Sequence, residues 1–566
     1  MSASDGENAQ SNQRTNSPSF ATGDNPYATR QASYYALGVL TLIYSFSFID
    51  RQLLAILQES IKADLGFSDT QLGLLTGFAF ALFYVSAGIP IARWADNGNR
   101  RNIVSLSIFI WSFMTAISGA VQNFAQMLLA RIGVGIGEAG GNPPSHSMIS
   151  DIFPAHKRAS ALGVYFTGVN IGILFGFLLG GWLSEVVGWR LAFLIIGAPG
   201  ILLAVIIRFT LAEPSRGVIE NRRATSNTTT IREVVVLLWS RRSFRHIALA
   251  GGLNAFVQYS VANWTASFLI RSHGMSTGEV GFWLAMILGI GGAIGVLGGG
   301  IFSDRLGVHD KRWYLWLPAI AGIISFPFGA FVYLAPTPKL ALMFAIIPGV
   351  LASVYLGATV ASIHSIVGLR MRTLGSAFYG FILNMIGLGA GPFTIGLMSD
   401  YLTPSLGHES LRYAMLYVLP VVQLGAVCHF YLASRVFRED VAAAPASATK
   451  KTPSFSRDGV PQGLLKEHST KPGTWGLLTV EEGEIMYVIT ERGFEEEVLV
   501  TPGNPGVIEP ETKHHVRIIG HVLFHIQFLS PGFYGAIRRT HEASFGNNLA
   551  TEISLDLRPS AVIDSI

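Results

Sequence analysis

Four ionisable residues stand inside long apolar runs: Asp50 and Arg51 in one, Arg131 and Glu138 in another. The second run reads Arg131-Ile-Gly-Val-Gly-Ile-Gly-Glu138-Ala-Gly-Gly-Asn142-Pro143-Pro144, with seven residues from cation to carboxylate. Two helical turns separate the pair, so both side chains should leave one face of a helix, while the glycines let neighbouring helices approach. A charge facing lipid at the centre of a spanning helix costs roughly 2.5 to 3.5 kcal/mol on insertion scales, which points these groups toward a polar cavity or a partner helix. The chemistry they could do is ion exchange. Asp50 and Glu138 are candidates to take up a coupling proton on one side and release it on the other, and Arg51 and Arg131 to pair with them or with an anionic substrate. A purely structural buried ion pair is the plain alternative. Later in the chain, Asn254, Gln258 and Tyr259 could bind a substrate headgroup or equally hold helices together, and His364 and Asn384 are further lining candidates.

The elements that must position these residues are membrane helices. Half of the 566 residues are apolar and only 13% are charged, with a mean hydropathy of +0.43, against about 25% charged in soluble domains. From Tyr34 to Arg435, apolar runs of spanning length alternate with short polar breaks. Twelve spans are expected: 34–57, 70–92, 102–122, 125–149, 159–183, 190–211, 246–270, 277–302, 313–334, 340–366, 374–398 and 412–435. They divide into a six-helix bundle over 33–212, a central loop over 213–243 rich in arginine, and a second bundle over 244–436. Basic residues gather in the even-numbered connections (Arg93, Arg100, Arg101, Lys157, Arg158, Arg305, Lys311, Arg312, Arg370, Arg372), which places both termini and the central loop in the cytoplasm and the chain in an inner (plasma) membrane. The polar segment 1–32 reads as a disordered cytoplasmic tail, not a cleaved signal peptide. One cysteine, Cys428, precludes an intrachain disulfide framework, and no basic, aromatic-studded block suggests nucleic acid.

The two halves repeat one motif. Ala92-Arg93-Trp94-Ala95-Asp96-Asn97-Gly98-Asn99-Arg100-Arg101 follows the second span, and Gly300-Ile-Phe-Ser-Asp304-Arg305-Leu-Gly307, with Lys311 and Arg312, follows the eighth. An acid at a helix end beside clustered cations can make charge-assisted bonds that break as halves rock, so Asp96, Arg100, Arg101, Asp304 and Arg305 are candidate gating residues. In these loops, in Gly188-Trp189-Arg190-Leu-Ala-Phe193 and in Glu213-Pro214, residues 34–435 resemble the major facilitator superfamily. The first loop departs from that family's signature with Ala92 for Gly, Asn97 for Arg and Asn99 for Gly. Phe48-Ile49-Asp50-Arg51, Arg131 to Glu138, Gly387-Leu-Gly-Ala-Gly391-Pro392 and Ser399-Asp400 are similar to the Spinster group within it. The resemblance implies an all-α polytopic transporter, not an enzyme, moving lysolipid, sphingoid or other amphipathic or small organic anions.

Gly135-Ile-Gly137-Glu-Ala-Gly140 fits a dinucleotide fingerprint, but no strand precedes it, so no cofactor is expected there or elsewhere. Without a phosphate-binding motif, the driving energy must come from an ion gradient, with protons as partners, or from the substrate's own gradient. Past a linker over 437–457, short apolar alternations between Gly and Pro turns predict a small all-β barrel over 458–531, followed by a polar tail over 532–566. Its Thr470-Lys471-Pro-Gly473-Thr474-Trp475-Gly476, Glu481-Glu-Gly483, Ile508-Glu509-Pro510 and His515-Val516 resemble the cupin-like domain of tellurite-resistance proteins. The usual cupin His-x-His is absent. His468, Glu509, His514, His515 and His525 could supply metal ligands, with His468, Glu509 and His515 the leading set, and a membrane-anchored receptor whose barrel senses a ligand or metal is the second functional reading.

Overall fold

A computed structural model describes residues 26–27, 29–214, 231–367, 371–442, 448–470, 474–491, 494–509 and 511–529. Most of tail 1–32, the arginines 216, 222 and 223 of the central loop, Arg370, part of the linker and all of tail 532–566 lie outside the described residues.

Every expected span is helical. Among the described residues eight stretches are long and apolar enough to cross a membrane, and two of them, Ser160–Thr210 and Leu374–Ala442, each hold two expected spans. The first of these pairs is joined without a loop: Gly188, at φ 78°, is the one non-helical residue inside Ala155–Thr210, a left-handed backbone that a Cβ would strain. Spans 4 and 7 fall outside the eight stretches for different reasons. Span 7, Arg242–His273, is long but carries Asn254, Gln258 and Asn263. Span 4 is broken, contrary to the single helix expected over 125–149. Phe124–Ala139 ends at Gly140 and Gly141, whose N–H groups bond to Gly137 and Glu138 carbonyls only three residues back, and a second helix, Asn142–Ile152, starts there with Pro in its first turn.

π-Helical segments interrupt span 2 at Leu74–Phe78, span 8 at Ala285–Ile290 and span 11 at Asn384–Ala390. Spans 2 and 8 are repeat equivalents, so the same widening of the helix recurs in both halves.

The chain forms two compact units that do not follow the sequence halves. One comprises 1–67, 79–226 and 276–285; the other comprises 68–78, 227–275 and 286–566. The opening turns of span 2 thus belong with the second half, and the opening turns of span 8 with the first.

Two boundaries differ from expectation. The central loop, expected to be polar throughout 213–243, contains the helix Ile231–Ser240, whose Val234 and Leu238 are buried in a cluster with Phe244, Ile363 and Val367. Inside the expected linker 437–457, the last helix runs on to Ala442 and the sheet has already begun. Its strands are β1 (Ala448–Lys451), β2 (Phe455–Ser456), β3 (His468–Ser469), β4 (Trp475–Glu491), β5 (Phe494–Val500), β6 (Gly506–Ile508) and β7 (Lys513–Leu529). All pairing is antiparallel, in the order β1-β7-β4-β5, with β2 and β3 also on β7 and β6 on β4. The register of β4 against β7 shifts on both sides of Gly483 (φ 76°), where a Cβ would collide with the His521 carbonyl. These bulges bend the long strands so that one apolar face wraps Leu478, Ile485, Val500, Val516, Phe524 and Ile526.

Candidate functional site

In the first unit the four expected charges come together with two hydroxyls. Asp50, Arg131 and Glu138 are 1%, 2% and 2% exposed, close to complete removal from solvent. Arg51 Nε and Nη2 donate to Glu138 Oε2 at 2.8 and 2.6 Å, and Ser47 Oγ donates to the same oxygen at 2.7 Å. Ser47 and Arg51 lie one turn apart on span 1, so a single helix face grips this carboxylate. Thr115 Oγ1 of span 3 donates to Asp50 Oδ2 at 3.1 Å. Aromatic faces surround the guanidiniums: Arg51 Cζ lies 4.9, 4.8 and 5.3 Å from the rings of Phe48, Phe80 and Tyr84, and Arg131 Cζ lies 5.5 Å from Phe80.

The cluster leaves bonding capacity unused. Among the described residues, Asp50 Oδ1, Glu138 Oε1 and the Nε and Nη1 of Arg131 are buried without a hydrogen-bond partner. Two carboxylates and two guanidiniums balance in charge but not in hydrogen bonds, so the site can accept a proton or an anion without first breaking every contact. Beside it, Tyr165 donates to Asn142 Oδ1 at 2.7 Å and Asn142 Nδ2 donates to Tyr84 at 3.3 Å. Asn142 opens the helix after the break in span 4, so the break presents a polar group beside Tyr84, whose ring Arg51 covers. Ser47, Thr115, Tyr84 and Asn142 were missed from sequence, since lone hydroxyls and amides in apolar runs carry no signal of what they face.

The polar candidates of the second unit are used up structurally. Span 10 is broken between Pro338–Leu351 and Tyr355–Ile366. Asn254 Nδ2 donates to the Ala352 carbonyl freed by that break at 3.2 Å and accepts from Gln423 Nε2 at 3.3 Å. Gln258 donates to Ser353 Oγ at 2.9 Å and accepts from Tyr355 at 3.4 Å. His364 meets Ser376 Oγ at 2.8 Å, Asn384 donates to Gly380 of its own helix at 2.8 Å, and Tyr259 accepts from Asn263 through its carbonyl at 2.8 Å. Of the two readings open for Asn254 and Gln258, these bonds support helix-to-helix joining.

The gating candidates also divide. Arg100 is buried and bonds Glu213 Oε1 at 2.7 Å, Ser147 Oγ at 2.8 Å, the Pro214 carbonyl at 2.7 Å and Asp151. The Arg101 backbone N–H donates to Glu213 Oε2 at 2.9 Å. Asp96 and Arg305 are exposed, and Asp304 accepts only a long bond from Tyr314 at 3.3 Å. The hub of the second basic loop is instead Asp310, which bonds Arg312 Nε at 2.9 Å and Arg438 at 2.7 Å. Burial alone would raise the Asp310 carboxyl, but these guanidinium bonds outweigh it and hold it down at about 2.

A third buried acid, Asp69, carries no mark in the sequence. Arg271 grips both its oxygens, at 2.7 and 2.8 Å, and Ser399 Oγ donates at 2.6 Å. Asp400 in turn accepts from the backbone N–H groups of Asp69 and Thr70, at 3.0 and 2.7 Å, capping the start of span 2 from another helix.

In the β domain, the expected metal set does not converge, and no three His, Cys, Asp or Glu side chains among the described residues form a metal group. His514 and His515 are neighbours on β7 and so point to opposite faces. It is His514 that sits inside, opposite His468, with ring centroids 4.4 Å apart and the Tyr487 ring 5.6 Å from His514. Glu509 is exposed. Burial lowers the affinity of His514 for a proton and raises the Tyr487 phenol, so both are neutral at physiological pH.

Comparison with known proteins agrees with the fold. Residues 40–335 match the Major Facilitator Superfamily and residues 450–526 match a TehB-like domain. An MFS-type efflux pump of Mycolicibacterium smegmatis is 33% identical over 72% of this chain and 94% of its own. A probable galactarate/D-glucarate transporter of Bacillus subtilis is 29% identical over 51% of this chain and 69% of its own. The crystal structure of a bacterial homologue of the human lysosomal transporter Spinster, inward-facing and unoccupied, superposes with a TM-score of 0.68 at 32% identity, over 73% of this chain and 99% of that one.

Proposed function

The chain belongs to the major facilitator superfamily, and we propose that this transporter couples the movement of a small or amphipathic organic anion to protons at Asp50 and Glu138. What carries the reading is the unfinished bonding of the first unit's charge cluster. With Glu138 ionised, its Oε2 occupies Arg51. A proton on Glu138 removes the charge that grips Arg51, so that the guanidinium can turn part of its bonding to an anion beside the unpaired donors of Arg131. Asp50, bonded by Thr115 alone on one oxygen, is the second proton carrier. Binding that depends on the protonation state, in a fold whose repeated halves rock around a central site, is alternating access. The Asp69–Arg271 grip on the start of span 2 is read as a latch that opens during the cycle, and the Arg100 hub as its counterpart by the basic loop. The basic connections support an orientation with both termini and the β domain in the cytoplasm.

The relatives' names point to organic anions as cargo. Reconstitution in liposomes with an imposed pH gradient, screening lysophospholipids against sugar diacids, tests the proposal. Accumulation driven by the gradient should disappear in Asp50→Asn and in Glu138→Gln while counterflow without a gradient persists; gradient-driven accumulation that survives both substitutions would refute proton coupling at these residues.

A further inference from the structure

We propose that the second bundle carries a binding site for one anionic diacyl phospholipid, with an acyl chain in an apolar groove between spans 9 (Trp313–Leu334) and 12 (Ser410–Ala442) and the phosphate on Lys311 and Arg435. The groove has a volume of about 460 Å³, inside the range of about 300 to 1,000 Å³ usual for small-molecule sites. Trp316, Ile320 and Ile323 line it from span 9, and Leu424, Cys428 and Tyr431 line it from span 12, each set repeating at the same helical spacing along one face. Ile320, Ile323, Leu424, Cys428 and Tyr431 are exposed, so within a membrane the groove opens to lipid. From Trp313 to Ile323 the helix rises about 15 Å at about 1.5 Å per residue, half of a hydrocarbon core about 30 Å thick. The groove therefore has the depth of one leaflet.

One end of the groove is aromatic and basic. Trp313 and Trp316 meet edge to face with ring centroids 5.5 Å apart, and Trp316 Nε1 donates to Ser434 Oγ at 3.0 Å, joining the two helices there. Such rings mark the level of the membrane interface. Of the cations at this end, Arg312 and Arg438 are committed to Asp310. Lys311 and Arg435 are exposed, and among the described residues their side chains make no hydrogen bond or ion pair. Arg435 stands one turn beyond Tyr431, on the groove's own face. An anion tethered to an acyl chain answers both features at once: the chain covers the apolar walls and the phosphate meets the uncommitted cations. The corresponding helices of the first half are closed by contrast. Spans 3 and 6 pack so tightly that a Cβ at Gly197 or Gly200 would collide with Ser112, and Glu213 takes up the Arg100 guanidinium and the Arg101 backbone N–H.

The test uses the full-length protein in detergent, freed of lipid and titrated with phosphatidylglycerol, phosphatidylcholine or inorganic phosphate, with bound lipid counted by native mass spectrometry. One phosphatidylglycerol per chain should be held at least about tenfold more tightly than phosphatidylcholine, the discrimination expected of two cations at a membrane surface. Lys311→Gln combined with Arg435→Gln should bring the two lipids to equal, weak retention. Cys428→Trp, which fills the groove from a lipid-facing position and so spares the core, should remove both. Arg208→Gln, at an exposed cation of span 6, controls for net charge, and Arg51→Lys, in the central cluster, controls for lipid bound as cargo; both should hold phosphatidylglycerol as the wild type does. Equal affinity for the two lipids, displacement by inorganic phosphate, a preference that survives the double substitution, or its loss in either control would overturn the assignment.

Discussion

The polar residues buried in the two halves of the transporter differ in kind and in condition. Around Asp50, Arg131 and Glu138, four buried polar atoms lack partners. Around Asn254 and Gln258, the amides are spent on a broken helix and on one another. A site that must bind and release something needs capacity in reserve, whereas a joint between helices needs all of it committed. On the proposed reading the chemistry belongs to the first unit and the architecture to the second, although the sequence repeats between them.

That division can be broken by substitution. The largest effect is expected from Arg51→Lys, which keeps the charge but loses the two-nitrogen grip on Glu138: gradient-driven flux in liposomes should fall to background while the melting temperature in detergent hardly moves. Equal loss of both would make the cluster structural. Next, Asp69→Ala strands Arg271 and removes the ends of three bonds; breaking a buried pair costs about 3 to 5 kcal/mol, so a large fall in thermal stability should accompany the loss of transport. Gln258→Ala should cost about 1 to 2 kcal/mol of stability and leave pH-driven flux within a few-fold of wild type; abolished flux with normal stability would move the substrate site into the second unit.

The smallest effect is expected at Asp310. Its folded carboxyl titrates at about 2, below the ordinary value of about 3.9. Its bonds therefore add stability that is fully present above the unfolded value and is lost as pH falls toward about 2. Arg438→Ala should lower the melting temperature slightly, by an amount constant between neutral pH and about pH 5, as Arg438 is largely exposed. A difference that already fades near neutrality would contradict the role given to this bond.

How much was legible beforehand follows from the range of each signal. Span positions are written in local hydropathy, and the charges Asp50, Arg51, Arg131 and Glu138 stood out because lipid penalises them wherever they point. Asp69 was hidden by a sufficient local explanation. Ser68-Asp-Thr-Gln71 forms a helix-starting capping box, so an acid in that first turn needs no distant arginine to account for it. The choice between His514 and His515 rests on strand register, where a one-residue slip exchanges the two faces. The break in span 4 was written in Gly140-Gly141 and Pro143-Pro144, but the apolar run on both sides outweighed it. Asp310 lies outside the repeated motif, which marks only Asp304, so nothing local in the sequence sets it apart as the partner of Arg312 and Arg438.

The exchange of short segments between the compact units has a genetic consequence. A duplicated gene could, in outline, be divided again at the central connection into two open reading frames. Here the first product would carry residues 68–78, which belong to the other compact unit, and the second would carry 276–285. Each polypeptide would be born with a piece it cannot place and without a piece it needs, so co-expressed halves should accumulate only together.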